Sequence, residues 1–209
     1  MQKLSIWKVY IVDDIEQQIQ RSEADTLFFV SDFAKTANDV FISRVLSEFT
    51  EKGLLCRLAK GIYYKPVKTR FGILYPEVGE LVKAIARRDN AQVLPTGETA
   101  QNMLGLSTQV PMNYVYLTSG SARRIEVGPR TVTFKRCVPK NFAPQNEFLA
   151  ILIQAMKSIG EERITDNHRA VIKGLLQKNL PIDTFEQDLK TAPIWVRKTI
   201  WNIVKEIEQ

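Results

Sequence analysis

The apolar positions follow two rhythms, and the change from one to the other divides the chain into elements. From Ser5 to Ile19, the residues Ile6, Val9, Ile11, Val12, Ile15 and Ile19 recur largely at helical spacing, which predicts an amphipathic helix ending before the polar stretch RSEAD. Leu27 to Val30 is a short apolar run. In the DFAKTAN segment after it, Ser31 or Asp32 can cap a second helix of about two turns by accepting from its first free amides. Asn38 can cap a third, DVFISRVLSEFTEKG, whose Ile42, Val45, Leu46 and Phe49 make one apolar face and whose end is marked by Gly53. Beyond Gly53 the pattern alternates through Leu54–Leu58 and again through Ile62–Lys65, with Lys60 and Gly61 between: a strand, a tight turn and a second strand. An isolated hairpin is marginal in water, so Leu54, Leu58, Ile62 and one tyrosine are expected to pack on the helices.

Three helices and a hairpin in about 65 residues is the plan of a winged helix-turn-helix. After Pro66, VKTRFGILYP reads as a linker. Pro76 to Asp89 reads as a helix with proline in its first turn and Val78, Leu81, Val82 and Ile85 inward. AQVLP is a short strand, and TGETAQNMLGL a short helix beginning near Thr96 or Gly97. NYVYLTS, RRIEVG and TVTFKR are strands, with turns at Ser119–Ala122 and Gly128–Pro129. The last seventy or so residues read as helices broken near Gly160, Pro181 and Pro193. The expected class is therefore α+β: an N-terminal winged helix-turn-helix over residues 1–68, then a mixed α/β domain with a small sheet and C-terminal helices over residues 69–209. There is no internal repeat and no low-complexity tract.

Charge sharpens this plan. The 209 residues carry a formal net charge of +6, and the surplus lies in the first two thirds, because residues 141–209 hold equal numbers of acids and bases. Lys52, Arg57, Lys60, Lys65, Lys68 and Arg70 follow one another with no intervening Asp or Glu. Such a local field points to an anionic partner, nucleic acid or a membrane surface. Set on a hairpin beside a helix whose off-core positions are Asn38, Asp39, Ser43, Arg44 and Ser47, the cations would lie near phosphates or an adjacent minor groove and gain affinity through counterion release. Asp13 and Asp14 interrupt the N-terminal segment before a long apolar run develops, and no stretch approaches the roughly 20 apolar residues of a membrane span. A soluble, cytoplasmic protein without a membrane partner is the simplest expectation.

No catalytic or metal-binding constellation emerges. Cys56 and Cys137 fit no metal spacing, and two cysteines do not make a disulfide framework. The single histidine, His168, stands in ITDNHRAVIKGLL at the first turns of a helix, where surface or cap placement is expected over a ligand or base. In TSGSARRIEVG, Gly120 and Ser121 resemble the Gly-Ser pair of nucleotidyltransferases, but the following strand offers Glu126 alone where two metal ions would need paired carboxylates. LPTGETAQ lacks the lysine and glycine spacing of a P-loop and reads as a capped helix start. No cofactor is implied and a non-enzymatic role is expected. Arg87, Arg88, Arg123, Arg124, Arg130, Lys135 and Arg136 form a second basic group that binds nucleic acid or a partner, or merely solvates a surface; the alternatives stay open.

The SDFA segment, the helix ending in glycine, RLAKGIYYKP and TGETAQNMLGLSTQVPMNYVYLTSGSARRIEV, spanning about Asp32 to Arg136, resemble the AbiEi-type antitoxins of bacterial type IV toxin-antitoxin (abortive infection) systems. The resemblance implies a winged helix that binds inverted repeats in double-stranded DNA ahead of its own operon and represses it. It also implies a C-terminal domain that counteracts a nucleotidyltransferase-like toxin without a stable complex. By position it implies DNA contact for Lys35, Arg44, Arg57 and Lys60, with Asn38 and Ser43 as base readers. Self-association on DNA is left open. The rival expectation is a protein-interaction module with a basic docking surface and no sequence-specific DNA binding.

Overall fold

The computed structural model describes residues 2–180 and 183–208, with side chains for residues 9–180 and 183–207. The chain is α+β and divides into two compact units, Met1–Ala84 with Ile125–Gly128, and Ile85–Arg124 with Pro129–Gln209.

In the first unit, helix α1 (Gln2–Arg21) leads to strand β1 (Leu27–Phe29), helix α2 (Asp39–Glu51) and strands β2 (Cys56–Ala59) and β3 (Ile62–Tyr64). β3 is the central strand of a three-stranded antiparallel sheet, with β1 on one side and β2 on the other. The α2 face forms as its spacing predicts, with Ile42, Val45, Leu46 and Phe49 each no more than 1% exposed. They pack with Ile15 and Ile19 of α1 and with Phe28, Phe33, Leu55 and Tyr63. The Asn38 side chain caps α2 by accepting from the Phe41 amide at 2.9 Å, and Gly53, at φ 71°, lets the chain leave it.

Three expectations are corrected here. The DFAKTAN segment is no two-turn helix but a short 3₁₀ turn, Val30–Phe33, followed by turns. The segment must run from β1 to the extended cap residue Asn38 within a few residues. It does so largely with three-residue closures, Ala34 to Ser31 and Thr36 to Phe33, while the Asp32 carboxylate reaches back to accept from the Phe29 amide at 2.7 Å. In the β2–β3 region Leu54 packs against the core as expected, half-buried, but Leu55 also enters it, and both tyrosines are buried rather than one. Tyr63 enters the helical core. The Tyr64 hydroxyl donates to the Leu74 carbonyl at 3.2 Å. Burial, then the neighbouring Cys56, push its phenol well above the ordinary value, so it remains a donor.

The third correction explains that second buried tyrosine. The expected linker is a hairpin, β4 (Val67–Thr69) and β5 (Gly72–Leu74), paired Val67 to Leu74 and Thr69 to Gly72. The Thr69 hydroxyl accepts from the Phe71 amide and donates to the Gly72 carbonyl, which fixes the two-residue turn between them.

Helix α3 (Val78–Asp89) buries Val78, Leu81, Val82 and Ile85 as read from the sequence. Strand β6 (Val93–Pro95), helix α4 (Glu98–Met103) and strands β7 (Asn113–Thr118), β8 (Arg123–Val127) and β9 (Arg130–Arg136) follow. The sheet order is β6-β7-β9-β8, with β7 antiparallel to β6 and parallel to β9. Helices α5 (Glu147–Ile159), α6 (Asp166–Asn179), α7 (Phe185–Leu189) and α8 (Ile194–Glu208) complete the second unit. α5 is buried along nearly its whole length, among Ile172 and Leu176 of α6 and Val196, Ile200, Ile203 and Val204 of α8. Gly160 and Pro193 mark helix boundaries as expected; the break at Pro181 lies outside the described residues. His168 is a cap: its ring nitrogen Nδ1 accepts from the Thr165 amide at 3.2 Å. Among the described residues no helix is long and apolar enough to cross a membrane.

Candidate nucleic-acid interface

All six residues predicted to meet DNA lie in the first unit. Lys35, Asn38, Arg44, Arg57 and Lys60 are exposed and Ser43 is half-buried. Lys35 stands in the turn after the 3₁₀ segment, Ser43 and Arg44 on α2, Arg57 on β2, and Lys60 in the β2–β3 turn.

The core face of α2 leaves Ser43, Arg44 and Ser47 off it, but not idle. Arg44 Nε donates to Glu48 Oε1 at 3.1 Å, one turn along the helix. Both line a groove of about 410 Å³ with Val9, Val12 and Asp13 of α1 and with Phe41 and Val45. An exposed pair of this kind contributes only about 0.3–0.5 kcal/mol, so an incoming phosphate or base edge competes with it easily. The Asn38 carbonyl is committed to the Phe41 cap, and the Ser43 carbonyl accepts the Ser47 hydroxyl. α2 itself carries Asp39, Glu48 and Glu51 against Arg44. Its own field is acidic, and attraction for an anion must come from elsewhere.

That source is the pair of hairpins. Arg57 Nε donates to the Ala59 carbonyl at 3.3 Å, spanning the irregularity in the β2–β3 register. Lys60 occupies the turn, and Gly61, at φ 73°, closes it in a backbone conformation that side chains resist. Lys52 lies 5.6 Å from the Phe49 ring centre. The β4–β5 hairpin, unforeseen in the sequence, adds Lys68, Arg70 and an outward Phe71, 85% exposed, with the Arg70 guanidinium 4.6 Å above its ring. The Lys68 amine lies near Gly53, at the end of α2, where the helix dipole favours a cation. The alternation of Val67, Thr69 and Phe71 about Lys68 and Arg70, with a glycine after it, was the signal that could have shown this hairpin.

Lys65 does something else. Its amine donates to the carbonyls of Ile19 (2.9 Å), Gln20 (2.8 Å) and Ser22 (2.7 Å) at the end of α1. This cation of the basic run is a helix cap, held by carbonyls that α1 cannot satisfy itself.

The second basic group is divided in the same way. Arg88 and Arg123 both bond Asp89, with the Arg88 contact at 2.7 Å. Burial pushes the Asp89 carboxyl up, but the two guanidiniums outweigh it and hold the group below the ordinary carboxylate range. Those two arginines are structural. Arg87, Arg124, Lys135 and Arg136 are exposed and Arg130 is half-buried. On β9, Val132 and Phe134 point into the core, while Lys135 lines a cleft with Thr96, Val115 and Lys157.

No curated protein matches the chain. A family model does: that of a family of unknown function, DUF6088, matches residues 14–183, from within α1 to just short of α7, and the chain belongs to that family.

Proposed function

We propose that this protein is a cytoplasmic, non-enzymatic DNA-binding autorepressor that doubles as the antitoxin of a type IV toxin-antitoxin system. On this reading residues 1–68 are a winged helix. α2 enters the major groove, where Ser43 and Arg44 meet base edges, and Arg57 and Lys60 of the β2–β3 hairpin anchor the phosphates. The observation that carries it is the pairing of α2, whose apolar face is wholly committed to the core, with two hairpins that carry Arg57, Lys60, Lys68 and Arg70 and no acid. The helix supplies shape and the hairpins supply affinity, because each neutralised phosphate releases counterions. The long α1 widens the usual plan without covering Arg57 or Lys60, which stay exposed. The antitoxin half rests on the resemblance of residues 32–136 to AbiEi-type antitoxins, in which the partner is a nucleotidyltransferase-like toxin that forms no stable complex.

A gel shift with the DNA directly upstream of this chain's own gene tests the repressor reading. A retarded band competed by unlabelled upstream DNA and not by equal random duplex is expected. No retardation, or equal competition by both, rejects sequence-specific binding. Growth rescue on co-expression with a neighbouring nucleotidyltransferase-like gene tests the antitoxin half.

The groove between α1 and α2 favours a second reading, a protein-interaction module, since Val9 remains 56% exposed there beside Phe41. No specific retardation of the upstream DNA, together with loss of growth rescue on substituting Val9, would favour it.

A further inference from the structure

The second unit contains a cavity that shares no residue with the proposed DNA-binding surface. It has a volume of about 450 Å³ and lies among α5, the segment 138–144 and the start of α8. Its charged lining is Lys140, Lys157, Lys190 and Arg197, with no acid among the lining residues. Four cations brought together without a counter-charge repel one another, an arrangement that is stable only because water, or an anion, screens them. The nearby acid is spoken for: Asp188, buried, accepts from the amides of Gln145 (2.8 Å) and Asn146 (2.9 Å).

Two further features point to a bound anion. Arg197 Nε is shielded from water and meets no acceptor among the described residues. A buried donor without a partner is destabilising, and a ligand oxygen satisfies it once the Arg197 side chain, which lines the cavity, shifts toward the open space. The first residues of α8 also border the space. That fifteen-residue helix has no acid in its first turn to offset the positive end of its dipole. Gln154, 6% exposed, lines both this cavity and the adjoining cleft with Lys135, and Lys157 borders both. Apart from Asn141 and Thr191 the remaining walls are apolar, Val138, Ile153 and Ile194 among them.

We infer that this cavity binds a nucleoside triphosphate, with the phosphates among Lys140, Lys157, Lys190 and Arg197 and the base against the apolar wall. The charge of such a ligand, near −4, matches the cations, and the volume is within the range of small-ligand sites, about 300–1,000 Å³. Inorganic polyphosphate shares the anionic chemistry but leaves the apolar wall unused.

Calorimetric titration of the full chain with ATP, tripolyphosphate and adenosine at low salt tests this. ATP is expected to bind most tightly, tripolyphosphate more weakly and adenosine undetectably. Lys157→Gln and Lys190→Gln, at exposed positions, are each expected to weaken ATP about tenfold, the loss of one charge-assisted contact. Arg197→Met is expected to weaken it further, and the two lysine variants keep the test decisive if Arg197→Met does not fold. Lys60→Ala, in the other unit, should leave ATP binding unchanged. Absence of ATP binding at millimolar concentration, affinity unmoved by both lysine variants, or equal affinity for ATP and tripolyphosphate would each overturn the inference. So would tighter capture of a short single-stranded RNA by the same lysines, which would reassign the site to a nucleic-acid end.

Discussion

Replacing Lys65 by methionine separates the two roles its charge could have. The side chain keeps its length and apolar stem but loses three donated bonds, to the carbonyls of Ile19, Gln20 and Ser22. The bond to Gln20 is exposed, so water can replace the amine there; those to Ile19 and Ser22 are part-buried. A bond to a charged donor contributes about 1.5 kcal/mol net at the low end of its range, and the cation at the helix end adds about 0.5 kcal/mol. The expected loss is therefore about 3.5 kcal/mol. For a unit of this size that corresponds to a fall of roughly 14–28 °C in its midpoint, at about 4–8 °C per kcal/mol. Thermal and urea unfolding followed by circular dichroism measure it. The same variant, assayed below its melting temperature, should bind DNA with an unchanged salt dependence, because the amine is not on a phosphate. A stability loss under about 1 kcal/mol, or a salt slope reduced by about 0.9, the contribution of one phosphate contact, would refute the cap assignment.

The remaining predictions concern the hairpin and two packed sites. Arg57→Ala with Lys60→Ala should weaken binding to operator and random duplex alike and reduce the salt slope by about 1.8, read from a salt titration of the gel shift; an unchanged slope removes the hairpin from the interface. Asp89→Asn should cost about 2 kcal/mol at neutral pH, since it strips the shared partner from Arg88 and Arg123. Because the folded carboxyl lies below its unfolded value, that stability is present above the ordinary Asp range, about 3.9, and lost as pH falls through the folded value. Urea midpoints for wild type and variant should therefore converge in acid, and a gap that stays constant would contradict the ion triad. Gly128→Ala places a methyl 2.5 Å from the Tyr75 ring at a residue with φ 60°. It should cost about 2–4 kcal/mol in urea unfolding, from left-handed backbone strain and overpacking. Adding Tyr75→Ala should recover the packing share only, and complete recovery would rule out the backbone contribution.

Much of the fold was determined by the sequence alone, because the decisive interactions there are local. The period of Ile42, Val45, Leu46 and Phe49, the cap at Asn38 and the stop at Gly53 define α2 within a few residues of chain, and these are satisfied wherever the helix is placed. The same holds for α3, for the strands around Gly128 and for the cap at His168. Tertiary structure decided what depends on partners distant in the chain. Whether a charge is free or consumed could not be read from composition: Lys65 is bound by carbonyls more than forty positions away, and Asp89 engages Arg123 across thirty-four. DFAKTAN has helical-looking chemistry, yet the join between β1 and Asn38 leaves room for only a 3₁₀ turn. The cavity around Lys157 gathers residues from three helical segments and a loop, each unremarkable alone, and only their convergence makes a field.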